Sequence, residues 1–193
     1  MPSLHFLLDA SGSMYGYRQE LVVAYNKLIA HLRTLVPPLT PVECFAFALE
    51  STRLQHGLLG TMPPLTMAEY QPEGGTALFD AIHRLLEATT SPEQHILIVL
   101  TDGLDSERET ASVFLRQLMD TRQEEGWLCV YLGAFLEALP QGLACGFREG
   151  NCLSFASAHL ADAFRLLQQG MQRFLTADNT VKQRLLTAGI FSQ

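Results

Sequence analysis

The sequence predicts an α/β protein, a three-layer sandwich in which a mostly parallel central sheet is covered by helices on both faces. Three observations carry that reading. Strand-like apolar runs alternate along the chain with segments of helical periodicity, the pattern of strands joined by helical crossovers. The first of these runs empties into a loop rich in Asp and Ser, as happens where a buried strand delivers polar groups to a sheet edge. With 193 residues, 48% hydrophobic and 17% charged, the chain is long and apolar enough for one sizeable core.

The elements follow in order. Leu4-His5-Phe6-Leu7-Leu8 is a strand, and it runs into Asp9-Ala10-Ser11-Gly12-Ser13-Met14. A helix over residues 17–35 carries Leu21, Tyr25, Leu28, Ile29 and Leu32 on one face and is stopped by Pro37 and Pro38. Residues 42–49 read as a buried strand and 52–59 as a shorter, more polar one suited to the sheet edge. Residues 60–75, with Pro63, Pro64 and Pro72, form a long irregular connection of the kind that is often functional or mobile. Leu78, Ile82, Leu85 and Leu86 mark the next helix. Residues 96–100 make a strand that leads into Thr101-Asp102-Gly103, and Phe114, Leu115, Leu118 and Met119 mark the helix after it. Both apolar stripes are assigned to the core. Residues 127–133 give another strand, 136–147 a weakly helical stretch interrupted by Pro140 and Gly142, and 152–155 a short last strand. Leu160, Ala163, Phe164, Leu167, Met171, Phe174 and Leu175 line a wide apolar helix face. Beyond Asp178, residues 181–186 suit a short amphipathic helix, and Ile190 and Phe191 are expected to dock on this domain or on another protein. The expected division is one domain over residues 1–177 and a C-terminal tail over 178–193.

The loop after the first strand has the pattern D-x-S-x-S. A carboxylate and two hydroxyls at alternating positions aim hard oxygen donors one way, which suits a cation such as Mg2+ and disfavours soft metals. The same residues also favour ordinary turns and helix caps, so the loop alone leaves both readings open. Two distant segments add compatible donors: Thr76, in Gly74-Gly75-Thr76-Ala77-Leu78, and Asp102, at the end of the later strand. A parallel sheet brings such loop edges beside the first strand.

With Asp9, Ser11, Ser13, Thr76 and Asp102 in place, the chain resembles the von Willebrand factor A-type domain and its metal-ion-dependent adhesion site (MIDAS). The phrases Gly74-Gly75-Thr76-Ala77-Leu78-Phe79-Asp80-Ala81-Ile82, and Gly126-Trp127 through Leu132-Gly133-Ala134, are similar to small stand-alone bacterial members. The resemblance implies a Rossmann-like sheet whose edge strand, here residues 52–59, runs antiparallel. It implies Mg2+, with Mn2+ or Ca2+ as alternatives, touched by Ser11, Ser13 and Thr76, with Asp9 and Asp102 behind them acting through bound water. The implied function is a metal-dependent protein–protein interaction module that captures a Glu or Asp carboxylate of a partner. AAA+ ATPases or kinase and phosphatase companions are the partners the resemblance suggests.

Charge and composition narrow the alternatives. A net charge of -7 argues against nucleic acid held through phosphates; Arg116, Arg122, Arg165 and Arg173 are scattered on helices as solvated positions. No signal-like segment or bilayer-length apolar run is evident, and a cytoplasmic protein is expected. Cys44, Cys129, Cys145 and Cys152 lack C-x-x-C spacing and read as reduced thiols. The competing classes are an Mg2+-dependent phosphoryl-transfer enzyme and a non-recruiting scaffold. The enzyme would need a base near the metal. His5 and His95 begin strands whose far ends carry Asp9 and Asp102, so they belong at the opposite sheet edge; His31, His56, His83 and His159 have helix or edge-strand contexts. There is no nucleotide-cradling G-x-x-x-x-G-K-[ST] loop, Ser11 stands where an aspartate-nucleophile phosphatase has its second Asp, and no enzymatic activity is expected. Tyr15, Tyr17, Met62, Met67 and Tyr70 are candidates either for a contact rim or for local packing, and Asp105 and Ser106 either for supporting hydrogen bonds behind the Asp102 loop or, the favoured reading, for capping the helix that follows.

Overall fold

Seven consecutive buried residues, Ser3–Asp9, make β1, the strand about which the sheet is built. In the computed structural model, which describes residues 2–103, 105–106, 111–134, 138–155 and 159–192, β1 is followed by β2 (Pro41–Phe47), β3 (Ser51–Leu58), β4 (His95–Thr101), β5 (Leu128–Ala134) and β6 (Cys152–Phe155). They form one sheet in the order β3-β2-β1-β4-β5-β6. All neighbours are parallel except β2 and β3, which form an antiparallel pair. β3 is also the most exposed of the long strands, as an edge position allows.

The strands β1, β4 and β5 are buried throughout, so alternate side chains feed two apolar layers. Leu4, Phe6 and Leu8 pack with α1 (Arg18–Leu32) and α5 (Leu160–Thr176) on one face. Leu7, Leu97 and Val99 pack with α2 (Leu78–Ala88) and α3 (Val113–Glu124) on the other. The chain leaves β1 for β2 on one side and reaches β4 on the other, so the carboxyl ends of β1 and β4 flank a topological switch point.

Four local outcomes differ from the sequence reading or refine it. The first helix begins with a 3-10 turn, Gly12–Tyr17, before α1 proper. Phe114 is 75% exposed although it shares a stripe with buried Leu115 and Met119; at the first turn of α3 it lies beyond the reach of the sheet. The weakly helical stretch contains α4 (Ala138–Ala144), while residues 135–137 lie outside the described residues. The long connection is tied to α1 rather than loose. Asn26 exchanges two hydrogen bonds with the Leu65 backbone (2.9 and 2.8 Å), Arg33 donates to the carbonyls of Leu59 and Met62, and Arg18 donates to those of Met67 and Tyr70. Met62, Leu65 and Tyr70 are buried in the core.

At the C-terminus, α6 (Asn179–Ala188) starts at Asp178, whose side chain accepts from the Val181 amide, and ends at Gly189 with φ +101°. Ile190 beyond it is fully buried and its amide donates to Asn151 Oδ1 at 2.8 Å. No helix among the described residues is long and apolar enough to cross a membrane.

Candidate metal centre

Asp9 is the last residue of β1 and is fully buried. Its Oδ1 accepts from the Ser11 amide at 2.7 Å and its Oδ2 from the Thr101 hydroxyl at 2.5 Å. The two bonds fix both the carboxylate and the loop that follows it. Ser11 Oγ lies 3.0 Å from Ser13 Oγ, and Ser13 Oγ donates to Asp102 Oδ1 at 2.7 Å. A continuous polar chain therefore joins Thr101, Asp9, Ser11, Ser13 and Asp102 across the ends of β1 and β4. Thr76 arrives from the other side: a Cβ built on Gly103 would be 3.9 Å from Thr76 Oγ1 and 4.0 Å from Ser13 Oγ. The structure brings together all five residues that the sequence grouped.

Distant backbone holds this arrangement. The Gly12 amide donates to the Gly74 carbonyl at 2.9 Å and the Glu73 amide to the Ala10 carbonyl at 2.7 Å, so the first loop and the end of the long connection move as one piece. The Tyr70 hydroxyl donates to the Asp9 carbonyl. Thr76 is clamped by Ser106, whose Oγ accepts from the Thr76 amide (2.8 Å) and whose own amide donates to the Thr76 carbonyl (2.8 Å). Asp105 Oδ2 accepts from the Phe79 amide at 2.8 Å, satisfying an orphan donor in the first turn of α2. It thus caps a helix that precedes it in the chain; the following helix, α3, is capped by Ser112. Gln141 of α4, with its amide turned to donate to the Gly103 carbonyl (3.2 Å) and accept from the Asp105 amide (2.6 Å), braces the same loop.

None of the ion pairs among the described residues involves Asp9 or Asp102. Burial pushes the Asp9 carboxyl up to about 6, against the pull of the Thr101 and Ser11 hydrogen bonds and with the nearby Asp102 adding to the rise. Asp102 is raised as well, chiefly by burial, while the Ser13 hydroxyl pulls it down. Two acids that resist ionisation at close quarters are a setting that a divalent cation relieves. The donor set fits one. Neutral hydroxyl oxygens of Ser11, Ser13 and Thr76 gather beside Gly103 and Asp102, Asp9 has both oxygens engaged, and the 3.0 Å between the two serine oxygens is near the edge of about 2.9 Å in an octahedron with bonds of roughly 2.0–2.1 Å.

Around this centre Tyr15 (68%) and Met67 (37%) are exposed, whereas Met62 and Tyr70 are core residues and Tyr17 is half-buried. Of the five candidates for a contact rim, only Tyr15 and Met67 have the exposure for it. Thr101, Gln141 and the bracing role of Tyr70 were not singled out by sequence, because each acts on backbone or side chains far away in the chain. His5 and His95 lie at the amino ends of β1 and β4, the edge opposite the centre.

The sheet order and the antiparallel edge are those of the von Willebrand factor A fold, and comparison with solved structures gives the same fold. Proximal thread matrix protein 1 of the mussel byssus, in a form with zinc at its MIDAS motif, superposes with a TM-score of 0.64 at 19% identity over 86% of this chain and 46% of that one. The von Willebrand factor domain of the type V pili tip protein Mfa5 of Porphyromonas gingivalis gives 0.67 at 11% identity, over 92% and 97%. The protein BatB of Bacteroides thetaiotaomicron gives 0.59 at 15% identity, over 90% and 98%. The chain thus spans less than half of the mussel protein and nearly all of the two bacterial chains. Neither a family model nor a curated protein sequence matches it. At these identities the likeness is one of fold.

Proposed function

We propose that this protein is a metal-dependent protein–protein interaction module. The reading rests on one observation above the others: three neutral hydroxyls, backed by two buried acids without a counter-ion among the described residues, meet at the carboxyl ends of two parallel strands. Ser11, Ser13 and Thr76 hold the cation, with Mg2+ the first choice for an all-oxygen set. Asp9 and Asp102 stand behind them as acceptors that orient the hydroxyls. When bound, the cation supplies an electrophile for an oxygen from outside. Because the groups touching it are neutral, the charge left over favours a carboxylate, and a Glu or Asp of a partner, an AAA+ ATPase or a kinase or phosphatase companion, is the proposed ligand. Phosphoryl transfer is disfavoured, since His5 and His95 lie at the far edge of the sheet.

The test is capture of partners from host lysate in Mg2+ or in EDTA, with wild type and Ser13→Ala, followed by direct titration of whatever is captured. A partner lost both in EDTA and with Ser13→Ala supports the reading. A partner retained equally under all conditions overturns it.

A further inference from the structure

The edge of the sheet away from the metal centre holds a second polar cluster that the proposed function does not use. His5 on β1, Glu43 on β2 and His56 on β3 are direct cross-strand partners in register, so they form one row on one face. The row borders a cavity of about 310 Å3, which His95 and Ser91 also line. Glu43 Oε2 is 3.4 Å from His5 Nδ1 and Glu43 Oε1 is 3.1 Å from His56 Nδ1.

The Ser91 carbonyl, which can only accept, lies 3.1 Å from His95 Nε2, and the Ser91 hydroxyl, which can accept or donate, lies 3.0 Å from the same nitrogen; the site described below takes the tautomer in which His95 Nε2 donates to the carbonyl. His95 Nδ1 is then an acceptor, and it takes the hydrogen of His5 Nε2 at 2.9 Å. In that tautomer His5 Nδ1 carries a lone pair; the atom is buried, outside hydrogen-bond geometry, and 3.4 Å from a Glu43 carboxylate oxygen, which accepts from it in the other tautomer. Burial, with His95 beside it and against the pull of Glu43, holds the His5 imidazole down to about 4. It is neutral at pH 7. Trp127 stacks on both imidazoles, with centroids 5.9 Å from His5 and 4.3 Å from His95, and keeps their orientation.

We propose that this row is a second cation site, for a borderline-soft divalent ion such as Zn2+, with His5 Nδ1, the Glu43 carboxylate and His56 as its protein ligands and the fourth position open to the cavity. Two imidazoles and a carboxylate are a zinc-type donor set, and a tetrahedron with bonds of roughly 2.0–2.1 Å has edges of about 3.4 Å; the His5 and His56 nitrogens lie 3.4 Å and 3.1 Å from different Glu43 oxygens, so the carboxylate must also turn to meet one ion with both. The hydrogen bond from His5 Nε2 to His95, itself fixed by Ser91, is the outer support that orients a ligating imidazole. Among the described residues no three His, Cys, Asp or Glu side chains are already closed around one point. Closure needs His56 to turn toward the cavity, and its side chain is 61% exposed and so has room to do so. The two ends of β1 then select different ions, hard oxygen donors at Asp9 and imidazoles at His5, about 13 Å apart along the strand.

The experiment is competition for Zn2+ against a chromogenic chelator in excess Mg2+, using Ser13→Ala protein so that zinc uptake at the other edge is suppressed. Glu43→Gln and His56→Ala are then added singly; both side chains are solvent-accessible, and circular dichroism checks the fold. One Zn2+ per chain, with affinity falling at least tenfold for each added substitution and the His5 Nδ1 resonance shifting on zinc addition, is the expected result. Stoichiometric zinc that is indifferent to both substitutions overturns the assignment. So does no zinc binding, with His5 found protonated on Nδ1, since a proton then fills the gap. Failure here leaves the Mg2+-dependent capture untouched, because Ser13 is absent from every arm.

Discussion

Both oxygens of Asp9 are engaged within the fold, at 2.7 Å and 2.5 Å, so Asp9 is a poor place to probe the metal: truncating it removes the acceptor of the Ser11 amide and leaves the Thr101 hydroxyl only its contacts with Gly103. Ser13 is the cleaner probe, being exposed. Ser13→Ala is expected to weaken Mg2+ binding at least tenfold in a calorimetric titration, with an unchanged circular dichroism spectrum. Tyr70→Phe keeps the ring in the core but removes the donor to the Asp9 carbonyl; urea unfolding should show a loss of about 1–3 kcal/mol. The D-x-S-x-S loop was legible in the sequence because its donors lie within one turn of chain, and Thr76 and Asp102 because each sits at the edge of a recognisable element. Tyr70, Gln141 and Thr101 were not, since a Tyr, a Gln and a Thr carry no local sign of a partner elsewhere in the chain, whether the Asp9 carbonyl, the Gly103 carbonyl or the Asp9 carboxylate. The pH response is also a residue-scale matter. His5, held at about 4 against the usual 6.5, contributes stability that is complete above pH 6.5 and lost as the pH falls toward 4, because the unfolded chain takes up the proton first. Asp9, raised from 3.8 to about 6, acts oppositely: the fold holds its proton longer than the unfolded chain, so stability falls as pH rises through that window. Each effect is on the order of 3 kcal/mol, and in EDTA they offset. Asp9→Asn should unmask a denaturation midpoint that climbs between pH 4.5 and 6.5, where wild type stays nearly level.

Among the elements, α6 shows how a helix that is visible in the pattern of residues 181–186 can depend on a contact that is not. A Cβ on Gly150 would lie 1.8 Å from the Ala188 carbonyl oxygen, and one on Gly189 2.0 Å from the Gly150 carbonyl carbon. The backbones of the turn before β6 and the end of α6 touch directly, and the Phe191 amide donates to the Gly150 carbonyl at 2.9 Å. Gly150→Ala is expected to destabilise by about 1–3 kcal/mol and to speed amide hydrogen exchange in α6 before it does so in α1. At α3 the difficulty for sequence reading is reversed. Periodicity places Phe114 with Leu115 and Met119, but a helix's first turn can overhang the sheet, and Val113 and Phe114 are each 75% exposed on the side where β4 ends. Phe114→Ser should alter stability by no more than about 0.5 kcal/mol and leave Mg2+ affinity unchanged, while weakening capture of a partner that covers this rim; surface binding assays separate the two.

For the molecule as a whole, the alternation of buried runs and helices was enough for the layered sheet, because strands buried on both faces have a composition no other element shares. The antiparallel edge came from resemblance, since a polar strand announces an edge but not its direction. The net charge of -7 has the same sign as the ligand in the proposed function. Association with an acidic partner in saturating Mg2+ should therefore quicken as salt is raised to screen the repulsion, the reverse of a basic receptor, and stopped-flow rates at two ionic strengths decide it. The sheet order has a further consequence for a chain that is made from its amino end. β1 pairs with β2, whose residues emerge soon after it, but its other edge waits for β4 at His95–Thr101. Until His95–Thr101 has been synthesised, a strand that is buried along its whole length in the finished fold has one side unpaired, and Asp9, Ser11 and Ser13 stand without Asp102. Nascent chains halted before residue 95 are thus expected to be the sticky ones, open to edge-to-edge pairing and to chaperones, and no metal ion can rescue them because the centre is incomplete until Asp102 is made.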